Sequence, residues 1–514
     1  MRAIFVLFDT LNRHYLEPYG ADLMKTPNFQ RLAEKSVRFD THYVGSLPCM
    51  PARRDLQTGR LTFMHRSWGP LEPFDTAMTE VMKKQGIYSH LITDHYHYLE
   101  VGGAGYQNTF TSFEFRRGQE GDVWKAHVAP DLDRYRKEYH PDQFSDKLGD
   151  LPLHYMINRD YIREEADFSS VKCFDLGCEF LETNKDADNW FLQIETFDPH
   201  EPFHAPERLR AQFPTDYDGP IRDWPPYARV TQGDTEAAEL RANYMALLAH
   251  CDEQMGRLLD RMDALDLWKD TMLVVSTDHG YLTGEHDWWA KNKMPAYQEI
   301  AHIPLFIHHP DHADAAGGSR DALSQTPDLM PTFLEAFGCD IPESVRGKSL
   351  LPVLRDAKTQ NHESVIFGYF GGAINVTDGR YTYFRYPENL LDQTLFQYTL
   401  LPSHMRQYFI RDEMKQATLV TNLDYAEGYP VMRIPVIAQS PWYSSHGPAA
   451  MVGSETLLFD ITTDALQENP LADDGLHQAM AAKLMREMQR HNAPPEAFAR
   501  LNLSPDAETS SWQN

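Results

Sequence analysis

The sequence predicts an α/β fold, with a parallel sheet whose strands are buried on both faces and a smaller antiparallel sheet toward the C-terminus. Three observations lead to this prediction. Residues 3–8 and 271–277 are nearly continuous apolar runs, the pattern of a strand that is covered on both faces. Amphipathic helical patterns lie between such runs. After about residue 355 the runs become shorter and alternate between apolar and polar residues.

The length of 514 residues favours two domains, or one large α/β domain with an appendage. We place the boundary where the pattern changes, with an α/β domain over 1–355 and an α+β domain over 356–514. The second domain is predicted to hold the antiparallel sheet and a packing helix near 475–491. The polar tail beyond about residue 503 is predicted to be frayed or bound within an oligomer.

The composition bears on partners and location. A formal net charge of −27 argues against a nucleic acid or an anionic membrane as the partner, because both attract clustered lysine and arginine. Five scattered cysteines favour a reducing compartment over a disulfide framework. Asp9 ends the first apolar run before any cleavage site, and no run of 18 apolar residues occurs. We therefore expect a cytoplasmic protein without a leader or a membrane span.

Amphipathic patterns and capping residues predict the helices. The clearest helix covers 236–264, where apolar residues recur at three- and four-residue spacing and form a core-packing stripe. Further helices are predicted to begin at Thr26-Pro27 and near Pro51, and to cover 76–85 and 326–337. Residues 100–170 show no clean period and are predicted to form an insertion of loops and short helices.

Polar residues follow the strands of the first half of the chain. The strand over 3–8 ends in Asp9 and Thr10, and the strand over 87–93 is followed by His95 and His97. Ligands bind at the carboxyl ends of strands in open α/β sheets, so these residues are candidates for a site. The plain alternatives are a turn or cap for Asp9 and a solvated loop for the two histidines.

The same pattern recurs in the second half. The strand over 190–196 runs into a turn in which Pro199 and Pro202 flank His200, and Lys291 precedes a strand over 303–308. The strand over 271–277 ends in Asp278-His279-Gly280. A carboxylate beside an imidazole forms half of a divalent-cation site, which Asp9 completes if the two strands are neighbours. A solvated loop histidine is the plain alternative for His200.

The most specific stretch is Cys49-Met50-Pro51-Ala52-Arg53, followed by Thr58-Gly59. Pro51 suits the first position of a helix, which places Cys49 at an N-terminus where free N–H groups and the dipole favour an anion. Arg53, one turn on, can point back at Cys49. A reactive sulfur beside an oxyanion site and a buried cysteine with a surface-paired arginine explain this pattern about equally well.

The stretch also resembles the sulfatase signature, Cys-x-Pro-Ser-Arg followed by Leu-Thr-Gly, whose cysteine is oxidised to formylglycine. Ala52 and Gln57 depart from that signature. Asp9, Asp198-Pro199-His200, Ser276 to Gly280 and Lys291 match further landmarks, so the whole chain is similar to the sulfatase branch of the alkaline-phosphatase-like hydrolases. The resemblance implies a large, mostly parallel sheet sandwiched by helices, with a smaller C-terminal antiparallel sheet.

The resemblance implies hydrolysis of organic sulfate monoesters to an alcohol and sulfate. The hydrated aldehyde made from Cys49 would attack sulfur, and sulfate would leave as the aldehyde re-forms. One divalent ion would activate the attacking hydroxyl. Calcium or manganese is expected, with magnesium as a further option, and the implied ligands are Asp9, Cys49, Asp278 and His279. The implied partners are a small sulfate ester, a formylglycine-generating or anaerobic sulfatase-maturing enzyme, and further copies of the chain in a homo-oligomer.

The remaining roles also follow from the resemblance alone. His200 matches the acid beside the leaving oxygen, Lys291 the cation that neutralises sulfate, and His97 the base of the elimination step. Arg53 would orient the aldehyde, and Thr10 and His95 would bind substrate. His95 replaces a lysine that many sulfatases have, and Thr10 replaces a second aspartate.

Two alternative functions follow from these residues. Phosphonate monoester hydrolases also combine an oxidised cysteine with a single aspartate after the first strand, so phosphonate monoester or phosphodiester hydrolysis is the close alternative. A non-catalytic anion-binding protein, in which Cys49 stays unmodified, is the alternative from another class.

Overall fold

An eight-stranded sheet, here called the main sheet, forms the centre of the computed structural model, which describes residues 1–118 and 121–504. Seven strands share one direction and Leu305–His308 opposes them, which confirms the predicted mostly parallel sheet. In spatial order the strands are Ser319–Arg320, Val37–Phe39, Leu305–His308, Thr271–Thr277, Arg2–Phe8, Trp190–Thr196, Tyr88–Thr93 and Ser112–Phe115. The polar tail predicted beyond about residue 503 lies almost wholly outside the described residues.

Helices cover both faces of the main sheet. Successive side chains of a strand point to opposite faces, so apolar side chains on both faces have to be buried. Ile4 and Phe8 of the central strand Arg2–Phe8 pack with one set of helices, and Phe5 and Leu7 pack with the other. The first set is Pro27–Lys35, Ser169–Thr183 and Asp234–Ala264; the second is Cys49–Thr58, Met78–Lys84, Leu329–Ala336 and Leu351–Arg355.

A five-stranded sheet, here called the C-terminal sheet, carries the helix Asp474–Arg490 on one side. Its strands are, in order, Leu457–Asp460, Tyr381–Arg385, Ile374–Thr377, Val365–Tyr369 and Ser46–Leu47. The four later strands pair antiparallel as predicted, whereas Ser46–Leu47 adds in parallel and ties the residues just before Cys49 to this sheet. A separate antiparallel sheet of Phe396–Thr399, Val431–Pro435 and Thr418–Val420 was not predicted.

Short elements connect these layers. The insertion predicted at 100–170 contains two short helices, and its strand Ser112–Phe115 extends the main sheet. No helix among the described residues is both long and apolar enough to cross a bilayer. The remaining short α-helices are Leu132–Glu138, Leu151–Arg159, Glu207–Arg210, Gln298–Ala301, Arg411–Met414, Pro441–Ser445 and Pro495–Ala499, and the remaining two-residue strands of the described residues are His42–Tyr43, Leu282–Thr283, Trp289–Ala290 and Ser324–Gln325.

The register of the main sheet brings its strand ends to one edge. Phe8 lies opposite both Thr196 and Thr277, and Thr93 lies opposite Glu195. The polar segments that follow these four strands therefore start side by side. This edge faces the beginning of the Cys49–Thr58 helix, which packs on the same side of the sheet as Phe5 and Leu7.

Candidate active site

Cys49 is the first residue of the helix Cys49–Thr58, two residues before the start predicted from Pro51. Its side chain is buried, and Sγ lies 3.3 Å from His279 Nε2. Burial and the neighbouring Asp9 raise the pKa of the Cys49 thiol well above its usual value. The unmodified sulfur is therefore a neutral thiol at physiological pH, although it lies at a helix N-terminus.

Arg53 holds three carboxylates together beneath Cys49. Its Nε donates to Glu195 at 2.6 Å, Nη1 to Asp278 at 2.5 Å, and Nη2 to Asp9 at 3.2 Å. Nη1 also donates to the Cys49 carbonyl at 3.0 Å. Arg53 is almost completely buried, so these contacts are not weakened by water. The surface-pair alternative for Arg53 is wrong.

Asp9, Cys49, Asp278 and His279 are all buried, and each offers a ligand atom within 4.8 Å of the others. His279 donates Nδ1–H to the Gly280 carbonyl at 3.0 Å, so Nε2 carries a lone pair and faces Cys49. Burial and Lys291 lower the pKa of His279 to about 3, which keeps this imidazole neutral. Two carboxylates and a neutral imidazole with its lone pair directed inward fit a divalent cation.

Lys291 and Thr10 lie next to Asp9. Lys291 Nζ donates to Thr10 Oγ1 at 2.6 Å and lies 3.6 Å from Asp9 Oδ1. Burial alone would raise the pKa of Asp9. The positive charges of Lys291 and Arg53 nevertheless hold that pKa well below its usual value. Thr10 has a φ of +63°, which is strained for a β-branched residue, and its N–H donates to Asp278 at 3.2 Å.

Three histidines surround the buried ring of Phe197. Its centroid lies 4.7 Å from the ring of His95, 5.7 Å from that of His97 and 4.3 Å from that of His200. The strand before His95 ends at Thr93, so His95 and His97 do not project from a continued strand. A 3₁₀ turn follows instead, and the two rings still meet with centroids 5.0 Å apart.

The ring nitrogens of these histidines have different partners. His97 Nδ1 is 2.5 Å from Glu100, and His200 Nδ1 donates to the Glu201 carbonyl at 2.6 Å. Neither nitrogen of His95 has a hydrogen-bond partner among the described residues. Burial, reinforced by Arg53, lowers the pKa of His95 well below its usual value, so the ring that replaces a lysine is neutral.

All the site residues expected from the sequence thus gather at one edge of the main sheet. Two others were missed. Glu195 anchors Arg53, and Phe197 supports the three histidines. A signal for Glu195 was available, because it alternates with Phe191 and Gln193 on the strand face that packs toward Cys49. No sequence pattern marks Phe197, because it is a single aromatic residue between Thr196 and Asp198.

Comparisons with known proteins identify relatives of the chain. The Sulfatase family model matches residues 2–339, and the model of the C-terminal part of N-sulphoglucosamine sulphohydrolase matches residues 284–424. An N-acetylglucosamine-6-O-sulfatase of Bacteroides thetaiotaomicron is 24% identical over 402 residues, or 69% of this chain and 70% of that protein. The multifunctional alkaline phosphatase superfamily protein PehA of Trinickia caryophylli is 25% identical over 398 residues, or 67% and 74% of the two chains.

Solved structures show the same fold. A protein bound to its substrate D-glucosamine-2-N,6-O-disulfate superposes with a TM-score of 0.65 at 15% identity, over 96% of this chain and 99% of that one. The phosphonate monoester hydrolase of Agrobacterium radiobacter superposes with a TM-score of 0.63 at 17% identity, over 95% and 96% of the two chains.

Proposed function

Because the chain belongs to the sulfatase family, we propose that it hydrolyses organic sulfate monoesters with a formylglycine made from Cys49 and a bound divalent ion. One observation carries the proposal. Cys49 lies in the same buried cluster as Asp9, Asp278 and His279, with Arg53 beneath it. The proposed nucleophile is close enough to two carboxylates and an imidazole to share one metal ion with them. This arrangement suits metal-assisted ester hydrolysis.

The unmodified thiol is a poor nucleophile, because burial keeps it protonated. A formylglycine at this position supplies, as its hydrate, an attacking hydroxyl and a second hydroxyl whose deprotonation releases sulfate. Asp9, Cys49, Asp278 and His279 would hold a divalent ion, which would supply Lewis acidity when bound, and we propose calcium, manganese or magnesium.

Lys291 is the proposed binding group for the sulfate. Lys291 is buried, and burial alone would lower its pKa. Glu201 and the other anionic neighbours raise the pKa of Lys291 by more, so the ammonium stays charged. Thr10 Oγ1 accepts from Lys291 and donates to Asp9 at 2.6 Å, which fixes the ammonium beside the cluster. We propose that Lys291 balances the charge on the non-bridging sulfate oxygens. His95, a neutral ring, would contact the same group without adding charge.

His97 and His200 handle the protons in this proposal. Glu100 holds the Nδ1–H of His97, so Nε2 accepts the proton that is lost as sulfate leaves. Burial and Lys291 lower the pKa of His200 well below its usual value, so its imidazole is neutral. An anionic sulfate beside His200 offsets Lys291 and raises that pKa, which prepares His200 to protonate the departing oxygen.

The runner-up is hydrolysis of phosphonate monoesters or phosphodiesters with the same nucleophile. It is favoured by Thr10, which leaves a single aspartate after the first strand, and by the phosphonate monoester hydrolases that share the fold. Kinetics on an aryl sulfate, an aryl phosphonate monoester and an aryl phosphodiester with the same leaving group distinguish the two. We expect the sulfate to have the highest kcat/KM.

Mass spectrometry tests the nucleophile directly. Co-expression with a maturing enzyme should give a Cys49 peptide that has lost about 18 Da, the mass change from thiol to aldehyde, and the hydrate regains that mass. Cys173 and Cys251, which are also buried, are internal controls and should stay unmodified. An unmodified Cys49 in a protein that still turns over sulfate esters would refute the proposed nucleophile. If the protein shows neither turnover nor bound metal, the result would support the alternative of a non-catalytic anion-binding protein.

A further inference from the structure

A chain of hydrogen bonds leads from the proposed base His97 to Arg406, in the second half of the sequence. His97 Nδ1 is 2.5 Å from one carboxylate oxygen of Glu100, and Nε of Arg406 donates to the other at 2.6 Å. Arg406 lies 306 residues beyond Glu100 along the chain, so only the fold brings the two together. Both contacts use the same carboxylate, and Glu100 therefore cannot rotate without breaking them.

Arg406 also contacts the residue that precedes the base. Its Nη2 donates to the Tyr96 hydroxyl at 2.7 Å, and the Tyr96 ring lies against the His97 ring, with centroids 4.3 Å apart. The planar guanidinium thus reaches, with one fixed fork of donors, two residues that hold the imidazole in place. A lysine at this position would keep the charge but could not make both contacts in the same geometry.

The backbone beside Arg406 packs tightly on the segment that follows His97. The N–H of Gly102 donates to the Met405 carbonyl at 2.8 Å. A Cβ on Gly102 would lie 2.5 Å from the His404 carbonyl oxygen, so no side chain fits between the two backbones. Residues 401–409, here called the 401–409 segment, are therefore seated directly on this part of the candidate site.

The 401–409 segment is also anchored to the first half of the chain at a second point. The buried Arg66 donates through Nη2 to the Ser403 carbonyl at 2.7 Å. Within the segment, the N–H of His404 donates to the Gln407 carbonyl at 2.7 Å and closes a turn. The backbone that carries the guanidinium is therefore held in one place, and the side chain needs little ordering to reach its partners.

The charges near the base support the same role. Burial lowers the pKa of His97, the Glu100 carboxylate opposes this, and Arg406 lowers the pKa further. Arg406 thus offsets the charge by which Glu100 would draw a second proton onto the ring. His97 can then keep its Nδ1–H toward Glu100 and stay neutral, and a neutral ring has a lone pair on Nε2 that accepts a proton.

We infer that Arg406 is a positioning residue for the proposed base and acts through Glu100. The inference rests on the proposed function, because that function gives His97 the proton that is lost as sulfate leaves. In that step Nε2 of His97 takes the proton of the free hydroxyl, and the electrons of the O–H bond form the C=O bond of the aldehyde. The C–O bond to sulfate breaks, and its electron pair leaves with sulfate. Arg406 has no part in the earlier attack on sulfur.

Two other roles for Arg406 are compatible with its position. Its side chain is 42% exposed, so it could be a surface ion pair that holds the 401–409 segment, or it could contact a bound ester directly. A surface ion pair contributes little to stability, and its loss should leave every step nearly unchanged. A direct contact to the ester would serve the attack on sulfur, and its loss should lower kcat/KM. Only the positioning role confines the loss to sulfate release.

The test is pre-steady-state kinetics of a nitrophenyl sulfate with the converted, metal-loaded protein. Arg406→Ala should slow sulfate release ~10–100-fold, because a misaligned base loses part of the ~10²–10⁴-fold that it contributes. The steps up to departure of nitrophenol stay fast, so kcat and KM should fall together and kcat/KM should change by less than about twofold. A burst of about one nitrophenol per active site is expected. Mass spectrometry after a rapid quench should show the sulfated Cys49 peptide.

Two further variants complete the test. Arg406→Lys keeps the charge and should restore part of the release rate. Arg433→Ala is the matched control, because Arg433 lies over the ring of Phe396 at 4.5 Å, on the strand that leads toward the 401–409 segment, and makes no contact with Glu100. It should give no burst.

The outcomes separate the inference from the proposed function. A fall in kcat/KM with Arg406→Ala, an unchanged rate of sulfate release, or the same burst in the Arg433→Ala control would overturn the inference, while turnover by the unaltered protein would still support the function. If the converted protein hydrolyses only phosphonate monoesters, the function is refuted, and the same burst assay with a nitrophenyl phosphonate tests Arg406 by itself. No turnover of either ester would refute both.

Discussion

Glu195→Gln should weaken binding of the divalent ion without removing any ligand to it. Glu195 accepts from Arg53 Nε at 2.6 Å, from the Tyr98 hydroxyl at 2.9 Å and from Gln193 at 3.0 Å. With a neutral glutamine there, Arg53 keeps its charge but loses one of its three carboxylates. It then competes more strongly with a metal ion for Asp9 and Asp278.

The charges of the cluster set the size of the expected loss in metal affinity. Three carboxylates and two cations, Arg53 and Lys291, leave the cluster with a formal charge of −1, and the substitution brings it to zero. A unit charge about 4 Å from another contributes about 4 kcal/mol at an effective dielectric constant of 20, and the interaction falls with distance. Arg53 lies between Glu195 and the two aspartates and shields them from the lost charge. We therefore expect the loss of affinity typical of residues that hold a ligand in place, about 10–100-fold.

The assay is a titration with the metal ion, in which binding is measured by calorimetry and, separately, by the shift in Tm. Glu72→Gln is the matched control, because Glu72 is equally buried and pairs with buried Arg66 away from the candidate ligands. Each variant breaks a buried ion pair and should lose up to about 3–5 kcal/mol of unfolding free energy. Only Glu195→Gln should change the metal Kd. A Kd within twofold of the unaltered protein, or an equal loss in both variants, would refute the reasoning.

Three further changes test the proposed chemistry. Cys49→Ser should fold but stop after one sulfate transfer, because a serine ester lacks the second hydroxyl that expels sulfate; repeated turnover near the unaltered rate would contradict this, and intact mass would show the trapped ester. Asp278→Ala or His279→Ala should lose bound metal and activity together, since each removes a ligand; elemental analysis with full occupancy and retained activity would refute the site. His200→Ala should slow the reaction by ~10²–10⁴-fold for a poor leaving group and much less for an activated phenol, because only the basic alkoxide needs a proton. Equal losses across a leaving-group series would reject the acid role.

The long strands could be predicted because burial on both faces leaves a strong signal. The bounds of Trp190–Thr196 and Thr271–Thr277 agree with the sequence to the residue. Asp9 and Asp278 were paired on the condition that their strands are neighbours, and the register with Phe8 opposite Thr277 meets that condition. The position of the candidate site followed from strand ends alone, because parallel strands end at the same edge.

What the sequence left open depends on long-range contacts. Ser46–Leu47 is too short to be recognised as a strand, and its partner Val365–Tyr369 lies far along the chain. The sheet containing Phe396–Thr399 has strands of three to five residues, which periodicity alone does not separate from loops. The sequence marks Glu195 as a charged residue in a buried strand, but its partner Arg53 is identified only when the helix Cys49–Thr58 is placed beside that strand.

If Cys49 is oxidised as proposed, the pairing of Ser46–Leu47 with Val365–Tyr369 sets a time limit on that oxidation. Roughly 300 residues separate the two strands, so at about 5–20 residues per second the ribosome completes the second strand some 15–60 s after the first. Until then the segment before Cys49 lacks its sheet partner, and afterwards Cys49 is only 3% exposed. A maturing enzyme would then compete with folding for the same stretch of chain. Slower synthesis between these strands should raise the fraction of converted protein, and faster refolding should lower it.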